Sequence, residues 1–134
     1  MRRVTAVILA TLVLMCAAFV AVAIAHTVKY DSTVTIQLKK NGNAPDSFAG
    51  KVISTHQRCE MNRTVKVFQR SGGATNLRLG TDQTDTSGNW ELQLPGAAAP
   101  GTYYAVATRE VLRKTANHLH VCRKAVSNDL TIKH

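Results

Sequence analysis

The stretch TDTSGNWELQL, Thr84 to Leu94, decides the fold. Its second half alternates: Trp90, Leu92 and Leu94 fall on one side of an extended chain, and Asn89, Glu91 and Gln93 on the other. Its first half is turn chemistry. Gly88 is free to take a positive φ, and Asp85 is able to accept hydrogen bonds from nearby backbone N–H groups. Together they predict a tight reversal that delivers the chain's single tryptophan into a core at the start of a strand.

The same period of two recurs on both sides. STVTIQLKK sets Val34, Ile36 and Leu38 against Thr33, Thr35 and Gln37, and SFAGKVIS sets Phe48, Gly50, Val52 and Ser54 on one face. RTVKVFQ points Val65 and Val67 one way and Lys66 and Phe68 the other. NLRLGTD places Leu77 and Leu79 together. TYYAVATRE predicts a strand from Tyr103 to Arg109, with either face available for burial. NHLHVC sets Leu119 and Val121 opposite His118, His120 and Cys122, and NDLTIK closes the chain with Leu130 and Ile132. Asn41-Gly42-Asn43, Pro45 and Gly72-Gly73 break the pattern between strands. No segment has the helical period. The reading is an all-β protein, an antiparallel β-sandwich of about seven or eight strands, prealbumin- or immunoglobulin-like, over residues 26–134.

Four segments occur in a familiar order: FAGKV (48–52), RTVKVF (63–68), TDTSGNWEL (84–92) and PGTYYAV (100–106). They resemble the transthyretin-like, carboxypeptidase-regulatory-like sandwich domains and the related collagen-adhesin B-type repeats. The resemblance implies a hairpin shaped by Asp85 and Gly88, with Trp90 filling the interior and Gly101 and Tyr103 opening a later strand. A Cys59/Cys122 pair is also a feature of secreted bacterial relatives. The lysine–asparagine crosslink of the adhesin repeats has no counterpart that can be placed here. These are turn and core positions, so the resemblance implies a fold and no activity.

The N-terminus reads differently. MRR is followed by the apolar run Val4–Ala25, broken only by Thr5 and Thr11. A basic start, an apolar centre and small residues at the far end predict a helical secretory signal peptide over 1–25. Ala23-Ile24-Ala25 is the expected cleavage site, with Ala21-Val22-Ala23 its rival. The alternative is an uncleaved anchor, since about 22 residues rising about 1.5 Å each can span a bilayer core. Either way Arg2 and Arg3 stay inside and the rest is exported, secreted or held at the envelope. Membrane contact is expected only if the segment is kept.

The full chain carries 17 basic and 8 acidic residues, a net charge of +9. Loss of Arg2 and Arg3 leaves 15 basic residues and a net charge of +7. Such a domain is attracted to acidic polymers. The cations, Arg63 and Lys66 among them, are scattered, and aromatics are few, which argues against specific nucleic-acid binding. The expected partner is an acidic envelope polymer, a carbohydrate or another protein. Two cysteines remain after processing, Cys59 and Cys122. In an oxidising compartment an even pair predicts one disulfide.

Histidines supply the metal-type candidates. His118 and His120 share a strand face with Cys122, and a disulfide would carry His56 towards them. Cleavage after Ala25 leaves His26 first, so its α-amino group and imidazole together offer a copper chelate. A disordered terminus is the plainer reading of His26, and solvated surface residues that of His118 and His120. Asp82 and Asp85 are a sparse calcium candidate, and Asn62 heads a sequon. Ser54 and His56 have no acid placed beside them, so no catalytic constellation and no cofactor is expected. The functional expectation is an exported, disulfide-stapled binding or structural module. A metal-handling protein and a small extracellular enzyme are the alternatives.

Overall fold

Alternation turns into layers because a strand that buries one face must find a second sheet to bury it against. The computed structural model describes residues 26–73 and 75–133, so the expected signal segment, 1–25, lies outside the described residues. Among the described residues twelve strands, numbered in chain order, form three open sheets. The first holds β2 (Ser32–Val34), β3 (Gln37–Lys39), β4 (Ser47–Ser54) and β7 (Asn89–Gln93). The second holds β5 (Thr64–Gln69), β6 (Leu77–Gln83), β8 (Gly101–Ala107), β11 (Ala125–Val126) and β12 (Leu130–Ile132). The third holds β1 (His26–Tyr30), β9 (Glu110–Lys114) and β10 (His118–Cys122).

The first two sheets pack face to face, sandwich-like. In the first, β4 is central, with β2 and β3 on one side and β7 on the other. In the second, the order is β6-β5-β8, and β11 and β12 share the far edge of β8. Val34, Phe48, Val52 and Trp90 face Val65, Val67, Tyr103, Ala105 and Ala107 across the interior. Phe48 and Tyr103 meet with ring centroids 4.8 Å apart. Each large apolar side chain buried in this way contributes about 1.5–3 kcal/mol.

Two glycines set the geometry of the first sheet. Gly50 lies opposite Trp90, and the indole covers it. A Cβ at Gly50 would sit 1.9 Å from the carbonyl oxygen of Thr35. The chain crosses so closely there that the one strand expected over 32–40 is split into β2 and β3. Gly88 has φ +81° in the turn before β7, and its carbonyl accepts from the Val52 N–H at 2.8 Å. Asp85 caps that turn, its Oδ1 accepting from the N–H groups of Ser87 (2.8 Å) and Asn89 (2.9 Å).

Several expectations are corrected. The described residues form twelve strands rather than seven or eight, and a third sheet stands beside the two layers. The pairing is not wholly antiparallel, because β1 runs parallel to β10. That pairing also orders residues 26–30, where a disordered terminus was one reading. Leu77 and Leu79 part company: a bulge in the β5–β6 ladder leaves Leu79 against the core and Leu77 58% exposed. The strand expected over 103–109 runs from Gly101 to Ala107 and buries its Tyr103 face.

Arg63 is the largest correction to the charge reading, because it is completely buried. Its side chain donates to the carbonyl of Thr108 at 2.6 Å, to the carbonyl of Cys59 at 2.8 Å, to the hydroxyl of Ser32 at 3.3 Å and to the carbonyl of Arg123. Burial lowers its pKa, and the charge of Glu110 partly offsets that. Beside it the Cys59–Cys122 disulfide ties the short 3-10 turn Gln57–Cys59 to the end of β10. Arg63 and the disulfide therefore bind the same two segments, one by hydrogen bonds and one covalently.

Candidate functional site

The outward residues of the second sheet build the most distinctive surface. On β5, alternation that buries Val65 and Val67 turns Lys66 and Phe68 outward. On β8 the same rule turns Tyr104 and Val106 to that side, opposite Phe68 and Lys66 in the ladder. Phe68 and Tyr104 stack with centroids 5.4 Å apart and planes 15° from parallel. Val126, half exposed, extends this apolar floor from β11.

Cations stand around the floor. Lys66, Arg109 and Lys124 line a groove of about 530 Å³ together with Phe68, Tyr104 and Val126. Arg109 and Lys124 also line a second recess of about 230 Å³, which adds Lys29 and Arg123. The two recesses meet at that pair and make one basic surface reaching from the second sheet onto the third.

Charge accounting separates the free cations from the occupied ones. Arg70 lies over the Tyr104 ring at 4.4 Å and makes a bidentate pair with Asp129. That hydrogen bond raises the pKa of Arg70 and lowers that of Asp129. Arg123 pairs with Asp31 at 2.9 Å. Among the described residues Lys29, Lys66, Arg109 and Lys124 make no ion pair. Lys66, Arg109 and Lys124 beside the stacked aromatics, with Lys29 in the adjoining recess, can bind an anion-bearing chain whose backbone packs on the floor.

The outer face of the first sheet forms a trough of similar size, about 540 Å³, but its three carboxylates are each held by local hydrogen bonds. Glu91 accepts from Lys39 at 2.7 Å and from Ser47 at 2.6 Å, and these bonds hold its pKa low. Asp82 accepts from the Glu91 N–H at 2.7 Å. Asp85 is held below the usual carboxylate range, chiefly by its hydrogen bond from the Asn89 side chain and then by the backbone N–H groups of the turn. The two aspartates considered for calcium are therefore both engaged in the hairpin.

The histidines line one face of the third sheet. His26 pairs with His118 in the β1–β10 register, with ring centroids 6.1 Å apart. His118 and His120 are 6.5 Å apart. His120 Nδ1 lies 3.2 Å from the Tyr30 hydroxyl. His56 packs on Tyr30 with ring centroids 4.2 Å apart and planes tilted by 45°, so Tyr30 neighbours both His56 and His120. Among the described residues no three His, Cys, Asp or Glu side chains converge as a metal site. The cysteine expected beside His120 is committed to the disulfide.

Of the remaining residues singled out, Trp90 is buried, with an indole N–H that has no partner. Tyr103 is buried and donates to the Ala99 carbonyl at 2.7 Å. Gly101 opens β8 opposite Ile132. Asn62 has φ +52° and donates its N–H to the Thr84 carbonyl at 3.0 Å. Ser54 Oγ donates to the Asp31 carbonyl and has no imidazole partner from His56. The basic groove itself is not legible in the sequence. Its cations come from segments 29, 66, 109 and 124, which only the folded topology brings together.

In comparison with known proteins, the chain matches no family model and no curated sequence.

Proposed function

We propose that the protein is exported and binds a linear acidic polymer, at the cell envelope or outside the cell, through the basic groove. The observation that carries this reading is the set of unpaired cations Lys66, Arg109 and Lys124 beside the Phe68–Tyr104 stack, continued by Lys29 in the adjoining recess. The leader-like N-terminus and the net charge of +9 support it, and so does the disulfide, which belongs to an oxidising compartment. The role is binding without catalysis. Membership of the transthyretin-like group is part of the same proposal, supported by the Asp85–Gly88 turn and the buried Trp90.

Binding of the purified protein to polyphosphate and to a polyuronate separates phosphate from carboxylate recognition. Both are expected to bind more weakly as salt rises. The double reversal Lys66→Glu/Lys124→Glu is expected to weaken binding by at least about tenfold, because it turns attraction into repulsion within the groove. Unchanged affinity in that variant, or binding that persists at about 1 M salt, overturns the proposal.

A further inference from the structure

The parallel pairing of β1 with β10 places His26 directly opposite His118. Both side chains are exposed, and their rings stand 6.1 Å apart at 74°. Imidazoles bind a first-row metal at about 2.0–2.1 Å. Two rings on opposite sides of one ion then have centroids roughly 6 Å apart, and two at a tetrahedral angle roughly 5 Å. The observed span fits opposite ligands, which belong to the square-planar geometry that Cu(II) adopts with nitrogen donors.

Two imidazoles alone make a weak site, and the third donor comes from the main chain. The nitrogen of His26 donates to the Asn117 carbonyl at 2.9 Å. As a peptide nitrogen it has one proton, given to that bond, and a lone pair delocalised into the amide. As a free α-amino group it keeps a proton for Asn117 and has a basic lone pair left for a metal. That nitrogen and Nδ1 of the same residue then close a six-membered chelate ring on the ion. The Asn117 bond holds the amine at the end of β1, beside His118.

We propose that the exported protein, with residues 1–25 removed, binds one Cu(II) through the α-amino group and imidazole of His26 and the imidazole of His118. The donor set contains only two side chains, which is why no cluster of three metal-type side chains marks it. His120 is outside it, because it lies two residues further along β10, opposite Val28 rather than His26. The site lies on the histidine face of β1 and β10, whereas Thr27, Lys29, Leu119 and Val121 line the basic recess. It is therefore independent of polymer binding.

The test uses the exported protein with its N-terminus determined by mass spectrometry. His26 is expected first, and any other first residue overturns the proposal. Cu(II) titration against a competing chelator is expected to give one site, with nitrogen hyperfine structure in the electron paramagnetic resonance spectrum. His118→Ala is expected to lower the affinity on the order of 100-fold. Four alanines inserted ahead of His26 are expected to do the same, because they turn its nitrogen back into an amide and carry the new amine away from the ring. His120→Ala is expected to leave binding unchanged. Circular dichroism checks that each variant folds, and the exposure of His118 makes its removal mild. Cu(II) held equally by wild type and His118→Ala, or by wild type and the inserted variant, overturns the proposal.

Discussion

At the scale of single residues, Arg63 does what its sequence position hides. A cation flanking a strand reads as surface charge, yet this one is buried and donates to four separate segments. The reason is geometric: a guanidinium offers five N–H donors in a fixed fork, and the ends of β2, β8 and β10 present acceptors within its reach. Lysine has the charge but not the fork. Arg63→Lys is therefore expected to cost about 2–4 kcal/mol in denaturant unfolding, since buried carbonyls lose their donors. A cost under about 0.5 kcal/mol, the level of an ordinary surface change, would mean the site is rebuilt by water. By contrast, the part of Trp90 is readable from its neighbours, because Gly50 and the Asp85–Gly88 turn leave room for one large ring.

At the scale of elements, legibility follows burial. β5 and β7 bury alternate residues, and β4 and β8 bury one face and part of the other, so their apolar pattern marks them in the sequence. β1 and β9 are largely exposed on both sides and carry no such period; backbone pairing with β10 holds them. The β7 hairpin also links its turn to pH. Hydrogen bonds from Asn89 and Ser87 hold the Asp85 pKa below its ordinary value. A depressed carboxylate stabilises the fold above its unfolded pKa of about 3.9, and that contribution is lost as pH falls through the lower folded value. Thermal unfolding of the wild type should therefore drop more steeply below about pH 4 than that of Asp85→Asn. Glu91 and Asp129 keep some slope in the variant, since their pKa values are lowered too. Parallel curves for the two proteins would remove Asp85 from the account.

At the scale of the whole molecule, the third sheet is fastened to the other two at few places. The disulfide joins residues 63 apart in sequence. In the chain-entropy model a loop of that size contributes on the order of 4 kcal/mol. Cys59→Ala/Cys122→Ala is expected to lose that stability in denaturant unfolding, and hydrogen exchange should rise first in β1, β9 and β10. Uniform exchange across all three sheets would show that they open as one unit. The parallel pair has a further consequence for how the chain comes into being. Strand β1 is the first to be synthesised, and its partner β10 follows about 90 residues later. Closing so distant a contact is slow and has to wait for nearly the complete polypeptide. A growing chain whose opening strand stays unmatched for so long can complete its third sheet only after residues 110–122 have been made, whereas the two core layers do not wait for it.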